Sequence, residues 1–197
     1  MVSGGTAAVV VAWVLAAEPT LGKGRLVCVD GPAGAGKTTL AAALVDRFRE
    51  EGASVQLVHM DDVYAGWSGL KDGMVTFERS VVAPLRIGQP GYYRRYDWGR
   101  STYAEEHEVE PCDVLVVEGV GAGATAYDEA ITCLLWVETP RDLCLARGLA
   151  RDGEAMRDHW LAWRVEEERM FDQERTEMRA DLVVDGRTGE FAGPPTW

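Results

Sequence analysis

The residues Gly31-Pro-Ala-Gly-Ala-Gly-Lys-Thr38 fit the pattern G-x-x-x-x-G-K-[ST]. Small side chains let the backbone wrap closely around an anion, so that its N–H groups point inward. A helix opening at the end of such a loop adds partial positive charge. Lys37 supplies a full charge for the outer phosphate oxygens, and Thr38 a hydroxyl suited to Mg2+. Gly31, Ala33, Gly34, Ala35, Gly36, Lys37, Thr38 and Thr39 are the candidate contacts to a phosphate-bearing donor.

Two further sets of acids follow apolar runs. Glu118 closes Val-Leu-Val-Val-Glu, the position from which a carboxylate holds Mg2+ through water. Asp61 and Asp62 follow Ser54 to Met60. One of them could take a proton from a hydroxyl about to attack phosphorus, and either could instead cap a helix or face water. Successive strand residues point to opposite faces, so at most one of the pair is expected to meet a substrate.

These residues need a frame that brings strand ends together. Leu26 to Asp30, Ser54 to Met60, Asp113 to Glu118, Thr132 to Glu138 and Asp181 to Asp185 read as apolar strands. Thr38 to Glu51 has Leu40, Leu44, Val45 and Phe48 at helical spacing, with Gly52 as its stop. Gly66 to Gly73 reads as a loop and Met74 to Ile87 as a helix. Tyr92 to Trp98 reads as extended, and Pro140 as the start of another helix. Ala155 to Met178 is a long helix or helix pair, with Met156, Trp160, Trp163, Met170, Phe171 and Met178 near one core-facing side. The tail from Gly186 is expected to be irregular. Strands that are apolar throughout and alternate with helices mean a parallel sheet covered on both faces. Ligands bind such sheets beyond the carboxyl ends of the strands.

With 197 residues, 47% hydrophobic and 26% charged, the chain has the balance of one globular domain. Its 32 acids against 20 bases, a net charge of −12, argue against a nucleic-acid or anionic-membrane surface. Cys28, Cys112, Cys133 and Cys144 form no CxxC pair, which fits buried reduced thiols in the cytoplasm, and the histidines have no zinc-site spacing. Val9 to Ala17 has the apolarity of a signal-peptide core, but no Lys or Arg precedes it. It is expected to form a helix lying on the domain, ended by Pro19 and Gly22.

The set of motifs resembles the uridine kinase and related nucleoside kinase branch of the P-loop kinases over about residues 25 to 186. The stretch His59-Met-Asp-Asp-Val-Tyr64 looks like that family's D-x-[FY]-[FY] after the second strand, and Asp72 to Phe77 like its D-H-P-x-x-F segment. Gly88 to Trp98 is similar to the strand ending Y-D-[FY], Glu118-Gly119 to the E-G after the Mg2+-binding strand, and Ala180 to Asp185 to the closing strand. Arg147, Arg151 and Asp152 resemble the arginine-bearing lid.

The resemblance implies the three-layer α/β fold of the P-loop NTPases: about five parallel strands, helices on both faces and a small helical lid. Residues 1–197 are expected to form a single P-loop kinase domain, with an N-terminal helix and lead-in at 1–24 and the lid region at 141–160. The resemblance also implies transfer of the γ-phosphate of ATP, with Mg2+, to a hydroxyl of a nucleoside or similar metabolite in the cytoplasm. Asp61 would be the general base and Lys37, Arg147 and Arg151 the catalytic cations. Thr38 and Glu118 would serve the metal, and Asp61, Tyr64, Asp72, Tyr96 and Asp97 the acceptor. Asp72 also fits as the cap of a helix beginning near Met74, and the lid arginines as surface ion pairs. His-Pro after the matching aspartate is Gly-Met here, and the histidine expected beyond Trp98 is missing. A kinase of another small alcohol, such as a vitamin precursor or an antibiotic, and a nucleotide-dependent switch ATPase are the competing readings.

Overall fold

A computed structural model describes residues 4–193. Five parallel strands make the central sheet: β1 (Arg25–Asp30), β2 (Val55–His59), β5 (Val114–Glu118), β6 (Ile131–Glu138) and β7 (Leu182–Asp185), in the order β2-β5-β1-β6-β7. Residues alternate between two cores. Val114 and Val116 of β5 face one side with Val27, Val29, Leu135 and Val137, whereas Leu115 and Val117 face the other with Leu26, Cys28, Leu134 and Trp136. Burial on both faces is why these strands are apolar runs rather than alternating ones.

On the first face lie α1 (Gly4–Ala16) and α2 (Lys37–Glu50). Ala7, Val10, Val11 and Val14, at helical spacing, pack with Leu40, Leu44 and Phe48 of α2. The apolar N-terminal segment is therefore a helix on the domain. On the second face lie α3 (Leu70–Phe77), a π-helical turn (Glu78–Val82), α4 (Ala83–Arg86) and α6 (Arg157–Glu174). The remaining helices are α5 (Arg141–Asp152) and α7 (Thr176–Arg179).

Several local expectations are corrected. Residues 66–73 are not a loop: a 3-10 turn occupies Gly66–Ser68 and α3 starts at Leu70. Leu70, Met74 and Phe77 are buried at i, i+4 and i+7, and this stripe outweighs the local glycines. Gly73 fits because a Cβ there would stand 2.4 Å from the Tyr64 ring. The helix expected to run unbroken to Ile87 passes through a π turn just before Pro84. A proline ring collides with the carbonyl four residues back, so the ladder shifts there. Tyr92 to Trp98 does extend, as β3 (Gly91–Asp97), but it pairs with an unforeseen antiparallel β4 (Thr102–Val109) outside the main sheet. Along α6, Trp160, Trp163, Met170 and Phe171 are buried, whereas Met178 beyond it is 79% exposed. Among the described residues, the tail after β7 forms an isolated bridge, Val184 to Phe191. Among the described residues no helix is long and apolar enough to cross a membrane.

Candidate active site

β1 delivers the chain into the glycine-rich loop, and the first turn of α2 closes it. Gly31, Gly34 and Gly36 have φ of 141°, 82° and 108°, a region that side chains rarely adopt. A Cβ on Gly34 would lie 2.4 Å from the Cys144 carbonyl oxygen of α5, so the loop also needs glycine to sit this close to its neighbour. Lys37 is buried, and its Nζ donates to the carbonyls of Gly31 and Pro32 at 2.8 Å each. This holds the ammonium inside the curl of the loop.

Two carboxylates tie the loop to the rest of the fold. Asp30 is fully buried and accepts from the N–H groups of Gly31 (2.7 Å), Gly121 (3.0 Å) and Gly123 (2.9 Å). It thereby fastens the turn after β5 to the start of the loop. Burial raises its pKa from 3.8 to about 6, against the pull of those N–H groups and Lys37. Glu167 of α6 accepts from Ala33 N at 2.9 Å and from Arg141 of α5 at 2.7 Å. One buried carboxylate thus joins the loop to two helices. Neither residue was singled out from sequence, although both leave a signal. Asp30 is a charge ending an apolar strand, and Glu167 falls on the buried stripe of α6.

The two residues expected at a metal site stand together. Thr38 Oγ1 donates to Glu118 Oε1 at 3.0 Å, and His59 Nδ1 lies 2.6 Å from the same oxygen. Burial alone would raise the Glu118 pKa. The His59 hydrogen bond, with Lys37 and Thr38, outweighs burial and holds the pKa below the usual range. His59 is raised in turn, chiefly by its bond to Glu118. A hydroxyl and an ionised carboxylate at the mouth of an anion-binding loop are a hard-oxygen donor set that fits Mg2+. Among the described residues no cluster of three or more His, Cys, Asp or Glu could hold a metal unaided.

A cleft of about 220 Å3 collects Gly34, Gly36, Lys37, Thr38, Thr39, Asp61, Glu118, Arg147 and Arg151. Arg147 donates to the Gly34, Ala35 and Gly186 carbonyls at 3.2–3.4 Å. Arg151 makes a bidentate pair with Asp152 (2.7 and 3.1 Å), which also accepts from Trp160 Nε1 at 3.0 Å. Asp61 and Arg151 also line a second chamber of about 380 Å3, with Asp62, Trp67, Trp98, Trp160 and Trp163. Asp61 stands open to the cleft, yet the surrounding protein walls strip enough water to raise its pKa, against Lys37. The two aspartates sit on a 3-10 turn, Met60–Asp62, rather than on β2. Strand alternation therefore does not apply, and both reach the chamber. Trp98, at the end of the β3–β4 hairpin, donates to the Asp61 carbonyl at 2.8 Å and closes that side.

The other expected acceptor contacts lie elsewhere. Tyr64 is fully buried, donates to the Val120 carbonyl and packs on Trp163. Asp72 is exposed in the first turn of α3, because that helix starts four residues before Met74. Tyr96 packs edge-on against Trp98 and Tyr103, and Asp97 accepts from the Arg100 N–H at 3.0 Å. None of these four lines the chamber. Trp160 and Trp163, expected as core alone, form its wall.

No family model matches the chain. A uridine kinase of Leuconostoc citreum is 31% identical over 149 residues, 66% of this chain and 69% of that protein. A structure described as a "possible uridine kinase" from Bacillus stearothermophilus superposes with a TM-score of 0.65 at 21% identity, covering 92% of this chain and 98% of that one. D-glycerate 3-kinase from Cryptococcus neoformans superposes with a TM-score of 0.57 at 15% identity, covering 96% of both chains. At those identities the two structures show the fold.

Proposed function

The chain belongs to the uridine kinase-like branch of the P-loop kinases and is a small-molecule kinase, and from that premise we propose that it transfers the γ-phosphate of ATP, with Mg2+, to a hydroxyl of a nucleoside or similar flat metabolite. The observation that carries this reading is the shared wall: Asp61 and Arg151 border both the phosphate cleft and the aromatic chamber. An acceptor in the chamber would present its hydroxyl to a base beside the donor phosphates.

ATP would supply the phosphoryl group, and Mg2+, when bound, would neutralise part of its charge. The loop amides and Lys37 would orient the donor, and Thr38 and Glu118 would hold the metal. Asp61 takes the hydroxyl proton, and its raised pKa makes its carboxylate a stronger base than an ordinary aspartate. Arg147 and Arg151 stabilise charge on the moving group from the lid. The indoles that line the chamber would limit the water able to compete for the phosphoryl group. A kinase of another small alcohol is the second reading, favoured by the absence of Tyr64, Asp72, Tyr96 and Asp97 from the chamber lining. A panel of nucleosides and small alcohols, assayed for acceptor-dependent ADP release, tests both. Steady ATP hydrolysis that no acceptor stimulates would instead favour the switch ATPase.

A further inference from the structure

We propose that the acceptor chamber selects an alcohol bearing a flat cationic group and rejects anionic alcohols. The inference rests on the kinase reading for its hydroxyl, but it follows from the chamber walls. Trp67 stands at their centre, with Trp98, Trp163 and Trp160 packed edge-on at centroid distances of 5.4, 6.0 and 6.2 Å. Four indoles around one space offer the ring type that attracts cations best.

The charges point the same way. Asp61 and Asp62 enter the chamber from one turn. Arg151 is the basic residue of the lining, and it is engaged twice, by the bidentate pair with Asp152 and by stacking 5.8 Å over Trp160. His59, Arg95 and His107 also act on Asp62; His59 is hydrogen-bonded to Glu118 at 2.6 Å and Arg95 is held by Glu105 at 2.6 Å. His159 stacks on Trp67 at 5.5 Å. A carboxylate or phosphate on the acceptor would therefore face two carboxylates, with no uncommitted arginine among the described lining residues to meet it. A cation would meet both carboxylates and the indole walls. Because Asp61 also borders the donor cleft, the hydroxyl belongs at that end and the cation toward Asp62 and Trp67.

A matched pair tests charge at nearly constant shape: N-(2-hydroxyethyl)pyridinium and 2-phenylethanol, with glycerate as the anion. Calorimetric titration at low salt is expected to give about tenfold or tighter binding for the pyridinium alcohol than for its neutral counterpart. Binding of glycerate should be undetectable. Asp62→Asn should shrink the preference to about threefold or less. Equal or tighter binding of 2-phenylethanol, measurable glycerate binding, or an unchanged preference in Asp62→Asn overturns the proposal. ADP release is measured on the same compounds and on uridine. Turnover of any alcohol without charge preference defeats the inference and leaves the kinase reading intact. Charge preference in binding with no stimulated turnover does the reverse.

Discussion

Asp61 and Asp62 are adjacent and chemically alike, and only their placement separates them. Asp61 borders both the donor cleft and the acceptor chamber, whereas Asp62 lines the chamber alone. With a neutral acceptor, Asp61→Asn should cut kcat by about 10²–10⁴-fold, the usual loss when a general base is removed. Asp62→Asn should lose much less. Equal losses, or the reverse order, would move the base to Asp62. Burial raises the Asp61 pKa, so the acid limb of the pH–rate profile should lie above the ordinary aspartate range and vanish with Asp61→Asn. Lys37 makes a separate case. Its ammonium donates to loop carbonyls, so Lys37→Ala should drop turnover by several orders of magnitude while circular dichroism stays native. Near-normal turnover would remove the phosphate assignment.

At the scale of elements, the chamber depends on how closely α5 approaches α6. Gly148 of α5 lies under Trp160 of α6, and a Cβ there would stand 2.3–2.5 Å from three atoms of the indole. A rigid ring cannot yield by a few tenths of an ångström, so Gly148→Ala must displace Trp160 or separate the helices. Overpacking of this kind typically costs about 1–3 kcal/mol. The same displacement removes a wall of the acceptor chamber. A lowered Tm and a raised acceptor KM are therefore expected together, and an unchanged KM would show that Trp160 does not bound the acceptor. This contact also marks where sequence reading stops. The loop, Glu118 and the parallel strands are legible because a contiguous motif or an uninterrupted apolar run specifies each. Trp160 and Trp163 carry the same helical spacing whether they face core or cavity, and only the gap opposite them decides. The β4 run Thr-Tyr-Ala-Glu-Glu-His-Glu-Val is polar enough to read as loop; it is a strand because β3 supplies its partner. Asp72 shows the converse, a family position matched in sequence that stands exposed on the first turn of α3, outside the chamber lining.

Across the whole molecule, the order β2-β5-β1-β6-β7 sets β5 beside β1, so the turns following these two strands meet at one edge of the sheet. Asp30 joins them, and it does so as a wholly buried carboxyl with three backbone N–H donors. Burial favours its protonated form and the donors favour its charged form. Burial prevails, since the folded-state pKa is raised from 3.8 to about 6. The folded state therefore binds this proton more tightly than the unfolded chain does. Asp30's contribution to stability is full below about pH 4 and is lost as pH rises through about 6. Other carboxyls titrate in the same window, so the comparison of wild type with Asp30→Asn isolates this one. The asparagine cannot titrate, and its amide N–H group must face at least one of the glycine N–H donors. It should lower stability by about 1–3 kcal/mol at pH 4–5, the cost of an unsatisfied buried donor. The gap between the two proteins should then narrow as pH rises past about 6, when the wild type carries its own penalty. Thermal unfolding of both proteins from pH 4 to pH 8 measures this directly. A gap that widens toward neutral pH would mean that the three N–H groups outweigh burial and that Asp30 holds the loop as a carboxylate.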